Sequence, residues 1–136
     1  VYTATYGAPI SELESWRQAH FGATENTGIA ADNFDADHDG QDNHSEFIAG
    51  TNPRDSSDRF EVQSLIRSGN LVVLNYDAKA GRTYSLEKLI HNSSDNTTSW
   101  SAVSTTGVLG ADEQDRVIFD LNPETNAIYR IKVVLP

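Results

Sequence analysis

The chain of 136 residues contains no cysteine, which excludes a disulfide framework, thiolate metal sites and cysteine nucleophiles. Positive charge is scarce as well: 10 Lys and Arg stand against 20 Asp and Glu, for a net charge of −10 and a pI near 4.6. Nucleic acid and anionic membrane surfaces both require basic patches, so neither is expected as a partner. No apolar run approaches the roughly 18 residues needed to span a bilayer, and none resembles a signal peptide, so membrane insertion is not expected. The chain opens on Val1 rather than methionine, which reads as a processed mature form or an excised domain.

Catalytic patterns are missing too. There is no G-x-S-x-G, no H-E-x-x-H and no glycine loop suited to phosphate. The histidines lie scattered at 20, 38, 44 and 91. Asp112, Glu113 and Asp115 resemble an acid and base pair, but a turn before a strand accounts for them more simply in so acidic a chain. Without an activating group beside a nucleophile, the expectation is a protein that is not an enzyme.

What is present is a twelve-residue run at 35–46, DADHDGQDNHSE, which fits the EF-hand-like calcium pattern D-x-D-x-D-G-x5-E at every specified position. Calcium takes six to eight oxygens at roughly 2.3–2.6 Å, so the chain must wrap it with donors at alternating positions. Asp35, Asp37 and Asp39 occupy positions 1, 3 and 5, Gln41 offers its backbone carbonyl at 7, Asn43 acts at 9, and Glu46 closes the shell at 12. Gly40 supplies the sharp turn at 6. His38 and His44 are expected to point outward. Position 8, usually apolar where two hands pair, is Asp42, and no second loop of this pattern occurs, so a solitary and structural Ca2+ site is expected.

The hydrophobic period divides the chain near residue 58, giving a helical segment with the calcium loop over 1–58 and an antiparallel β-sandwich domain over 59–136. Ser11 and Glu14 form a capping box for a helix whose apolar side carries Leu13, Trp16, His20 and Phe21 and which Gly22 ends. Asn43 and Glu46 repeat that start signal for a two-turn helix closed by Gly50, and Pro53 prevents continuation. Neither helix is long enough to be stable alone, so Trp16, Phe21, Phe47 and Ile48 are expected to pack it beside the sandwich. Alternation predicts strands near 59–67, 70–78, 82–90, 100–106, 115–121 and 127–135, with a polar loop at 92–99. Residues 1–10 read as an edge strand or a tether.

The run DADHDGQDNHSEFIAGTNPRD, with GRTYSLE at 81–87, Trp100 and Tyr129-Arg130, resembles a bacterial C-terminal arrangement. In it a dockerin-like or thrombospondin-type-3-like calcium loop precedes a small β-sandwich in secreted polysaccharide-degrading enzymes. A dockerin proper has a second loop and longer helices, and this chain has neither. The resemblance implies a non-catalytic, secreted or cell-surface module with Ca2+ as cofactor and a polysaccharide or other extracellular polymer as partner. Other domains of a larger secreted protein, or identical subunits, would be its further neighbours. Exposed aromatics suit sugar rings, which makes Tyr2, Tyr6, Tyr76 and Trp100 the candidate contacts, although core packing is the preferred account of Tyr76 and, more strongly, of Trp100. The alternative is a structural or adhesive subunit in which 1–10 or 127–136 completes a neighbour's sheet by strand addition.

Overall fold

The computed structural model describes residues 10–121 and 127–136. Tyr2, Tyr6 and nearly all of the expected tether lie outside the described residues. Helix α1 (Glu12–Phe21) starts at the expected capping box: the Ser11 hydroxyl accepts from the Glu14 amide at 3.1 Å, and the Glu14 carboxylate accepts from the Ser11 amide at 2.7 Å. Helix α2 (Asn43–Ala49) begins one residue away from the expected cap. Asp42, not Asn43, is the N-cap, and its carboxylate takes the Ser45 amide at 2.8 Å. Asn43 is the first helical residue and is wholly buried, which leaves the exposed capping role to its neighbour.

The end of α2 is where the helical segment meets the sheets. Gly50 sits at φ 81°, a left-handed conformation that side chains with a Cβ resist. The Arg82 guanidinium donates to the carbonyls of Ile48 at 3.0 Å and Phe47 at 2.8 Å, so a cation from the β region closes the negative end of the helix. A Cβ on Gly50 would lie 2.8 Å from the Arg82 Cζ. Gly50→Ala is therefore expected to cost about 2 kcal/mol, from left-handed strain plus a displaced guanidinium. A thermal melt checks this beside Gly107→Ala, whose Cβ would meet open space.

Strands β1 (Val62–Ser68), β2 (Leu71–Ala78), β3 (Thr83–Asn92), β4 (Thr97–Thr105), β5 (Glu113–Asp120) and β6 (Tyr129–Val134) fall within a few residues of the sequence pattern. They form two antiparallel three-stranded sheets, ordered β1-β2-β5 and β4-β3-β6. The polar stretch at 92–99 is not a loop: β3 runs to Asn92, β4 starts at Thr97, and only the turn between them is left.

Alternation places the core. Val72, Leu74, Tyr76 and Ala78 of β2 are buried together with Tyr84 and Leu86 of β3 and with Leu121. Val117 and Phe119 of β5 and Tyr129, Ile131 and Val133 of β6 pack around them, so both sheets contribute to one apolar interior in a sandwich-like arrangement. A fully buried Leu such as Leu86 contributes about 2 kcal/mol. Trp16 stacks edge-on to Phe47 of α2 at 5.9 Å and to Phe21 at 5.9 Å, so these rings join the helices to one another. β1 differs from the other strands in being exposed along its whole length, Leu65 and Ile66 included.

Candidate metal centre

Residues 35–46 form a loop that closes on its own chain. The Asn43 amide donates to the Phe34 carbonyl at 2.9 Å, and the His44 amide to the Asp32 carbonyl at 3.0 Å. Asp42 at position 8 has the separate task of capping α2. Ser45 holds its carboxyl below the ordinary range by hydrogen bonding.

Asp35 organises the interior of the turn. Its Oδ1 accepts from the His38 amide at 2.8 Å and the Asp39 amide at 3.3 Å, and its Oδ2 from Gly40 at 2.9 Å. Asp37 Oδ1 takes the Asp39 amide at 3.2 Å, and Asp39 Oδ1 takes the Gln41 amide at 2.7 Å. These bonds require the chain to turn back sharply, and His38 at φ 63° and Gly40 at φ 96° allow it. Carboxylate oxygens of Asp35, Asp37 and Asp39 lie within 4.8 Å of one another. His38 and His44 are exposed, as their positions in the pattern predict.

Four oxygens in this centre are buried and receive no hydrogen bond: Asp37 Oδ2, Asp39 Oδ2, Asn43 Oδ1 and Glu46 Oε2. They come from positions 3, 5, 9 and 12 of the pattern. Leaving one buried acceptor without a donor costs about 1–3 kcal/mol, so four together need a common partner. Asn43 is the most telling. Its Nδ2 donates to the carbonyls of Ile29 and Ala31, both at 2.8 Å, which fixes the orientation of the amide and leaves Oδ1 as the unpaired atom. Glu46 has 0 % exposure, and its other oxygen takes only the Thr51 hydroxyl, at 3.3 Å.

The electrostatics agree with that geometry. Burial, reinforced by the charges of Asp37 and Asp39, pushes the Glu46 carboxyl up to about 8. Burial, with Asp39 and Asp35 adding to it, also raises Asp37. A site that resists ionisation this strongly lacks positive charge, and a hard divalent cation bound by oxygen would supply it.

Two supports were not read from the sequence. Arg17, 6 % exposed, reaches from α1 to the carboxylate of Asp32 just ahead of the loop and to the Thr24 carbonyl at 3.2 Å. Asn26 holds the other Asp32 oxygen at 3.1 Å and accepts the Asp32 amide at 2.7 Å. The available signal was Arg17 itself, a charged residue one position after Trp16 within the apolar stripe. The second support is Gln41, whose side chain leaves the loop altogether to reach the backbone of Phe60.

The aromatic candidates separate cleanly. Tyr76 is a core residue at 2 % exposure; its hydroxyl donates to Asp115 Oδ2 at 2.8 Å, and burial followed by Asp115 raises its pKa. Its alternation with Val72 and Leu74 faces inward, so it cannot offer a ring to a ligand. Trp100, expected in the core, is instead half-buried on the opposite side of its sheet, because its partner Leu89 shares the face of Glu87 and Arg130. Arg130, which alternates with the inward Tyr129 and Ile131, lies 4.1 Å over its ring and is held there by Glu87 at 2.7 Å. No family model, curated protein or solved structure matches the chain, so its own geometry carries the functional reading.

Proposed function

We propose that this chain is a non-catalytic, calcium-stabilised extracellular module, an accessory part of a secreted protein that attaches it to a polysaccharide. The observation that carries the calcium part is the set of four buried acceptors without donors at positions 3, 5, 9 and 12. Asp35, Asp37, Asp39, Asn43, Glu46 and the Gln41 carbonyl would hold the ion, and all are oxygen donors of the hard class that calcium takes. Extracellular calcium is plentiful enough for weak sites of about 10⁻⁴–10⁻³ M, which favours secretion. Among the described residues no helix is long and apolar enough to cross a membrane.

Trp100 supports the polysaccharide part. It is an aromatic on a sheet face that is not part of the core, and a sugar would stack on it by displacing Arg130, which lies 4.1 Å over its ring and is paired with Glu87. Calorimetry and pull-down against soluble and insoluble polysaccharides, with calcium present, should reveal weak binding that Trp100→Ala reduces about tenfold. Absence of binding to every polymer tested would remove the carbohydrate part of the reading.

One observation favours the second reading, a subunit assembled by strand addition. β1 exposes Val62, Leu65 and Ile66 along a sheet edge, the kind of surface that accepts another strand. The segment 127–136 is a poor donor for such an assembly, because β6 already pairs with β3 and its inward side fills the core.

The calcium reading has a pH signature. In the folded chain without metal, Glu46 keeps its proton up to about pH 8, against an ordinary value of 4.5. Between those values the folded state binds more protons than the unfolded one, so stability in chelator falls as pH rises. His20, lowered by burial and by Arg54, acts in the opposite sense below its ordinary 6.5, which leaves 6.5 to 8 as the clean window. Across it the melting temperature should decline in chelator and hold level in excess calcium. A chelated protein that gains stability over that range would contradict the assignment.

A further inference from the structure

We propose that Gln41 transmits occupancy of the ion loop to the sheets, so that a bound divalent cation locks the helical segment onto the aromatic end of the β core. This rests on the calcium reading above and adds to it a route by which the ion acts on a part of the protein that it does not touch.

Gln41 faces two ways. Its main chain belongs to the loop: the amide is held by Asp39 Oδ1 at 2.7 Å, and the carbonyl is the position 7 donor of the calcium pattern. Its side chain belongs to the interface. Nε2 donates to the Phe60 carbonyl at 2.8 Å, and Oε1 accepts the Phe60 amide at 3.4 Å, the pair of bonds that a neighbouring strand would otherwise make. Phe60 lies two residues before β1, and its ring packs 5.6 Å from Tyr84 and 6.2 Å from Tyr76, the buried tyrosines of this end of the core. One residue therefore has its backbone in the ion loop and its amide group on the chain that enters the first strand.

Two further ties lie farther along and do not pass through the loop. Arg82 holds the last carbonyls of α2. Lys79 pairs with Asp58 at 2.8 Å, and the other Asp58 oxygen takes the Asn52 amide at 3.1 Å. These keep the helical segment attached whether or not an ion is bound. The Gln41 bonds respond to the ion because the loop that positions them brings oxygens of Asp35, Asp37 and Asp39 within 4.8 Å of one another, and the ion relieves the mutual repulsion of these carboxylates. Calcium would thus change how firmly the segment is seated rather than whether it is seated, and protection of the Phe60 amide is where that change would be read.

The test uses the whole chain, calorimetry to measure calcium binding, and amide hydrogen exchange to measure transmission. In the unsubstituted protein calcium should slow exchange in the 35–46 loop and at Phe60, the latter by about tenfold or more. Gln41→Met keeps the length of the side chain and the backbone carbonyl while removing both bonds to Phe60. Because coupling is reciprocal, it should bind calcium up to about tenfold more weakly than the parent, yet at saturating calcium retain the slowing in the loop and lose it at Phe60. Should that variant fold poorly, NMR titration of the unsubstituted protein gives an independent reading: the Gly40 and Phe60 amides should shift with one midpoint. Calcium binding with an unresponsive Phe60, or a Phe60 response that persists in Gln41→Met, overturns the coupling alone. No heat of binding overturns the coupling and the calcium reading together.

Discussion

Glu46→Gln is expected to abolish the effect of calcium on the melting temperature while leaving the chelated protein as stable as before, or slightly more so. The two halves follow from one feature. In the folded chain without metal the Glu46 carboxyl is held at about 8, so at neutral pH it is mostly protonated and already resembles the amide in shape and charge. Replacing it therefore removes little from the metal-free state. It does remove the bidentate closing ligand of the calcium pattern, and with it most of the affinity. An ion bound only by the native state stabilises it by about 2.7 kcal/mol at a hundredfold excess over Kd. For a domain of this size that is a rise of about 10 °C. Differential scanning calorimetry with and without chelator, on parent and variant, decides the matter. A calcium-dependent rise that survives in Glu46→Gln would place the ion elsewhere, and a parent protein indifferent to chelator would remove the ion altogether.

Arg17→Ala should be among the most damaging single changes. The Arg17 side chain is 7 % exposed, and its partner Asp32 is 34 % exposed. Removing the cation leaves a half-buried carboxylate facing the cavity it vacated and frees the Thr24 carbonyl. Breaking a fully buried pair costs about 3–5 kcal/mol, and the partial exposure of Asp32 brings the expectation down to about 2–3 kcal/mol. Because the Asp32 carbonyl also accepts the His44 amide at 3.0 Å, the substitution should loosen the closure of the 35–46 loop as well. Urea unfolding with calcium present measures the first effect and titration calorimetry the second. The double change Arg17→Met with Asp32→Asn, which leaves no charge unpaired, should recover most of the loss; failure to recover would mean that packing rather than charge is the cause.

The sequence disclosed the loop and the strands because both have short, rigid periods. A twelve-residue pattern with its glycine, and side chains alternating between wet and dry faces, can be recognised without knowing what lies opposite. What stayed hidden depends on what lies opposite. Tyr76 and Trp100 are both aromatics in strands, and only the arrangement of the sheets puts one ring in the core and the other beneath Arg130. The stretch at 92–99 looked like a loop because the tip of the β3–β4 hairpin is wet on both sides, and alternation requires one dry face. Asn43 and Asp42 are both good caps by type. Asn43 is instead buried by the carbonyls of Ile29 and Ala31, which sequence spacing does not reveal.

Asp42, at the position where paired hands meet, instead caps α2, and this has a consequence for how a calcium response would look. Cooperativity in calcium proteins needs a second site whose affinity the first can raise, and the loop pattern occurs once in the sequence. Binding should follow a simple hyperbola with a Hill coefficient of one, so that passing from a tenth to nine-tenths occupancy takes a rise in free calcium of roughly eightyfold. A protein with that response would not switch sharply over a small change in free calcium. It would distinguish a calcium-poor medium from a calcium-rich one only where the two differ by about two orders of magnitude.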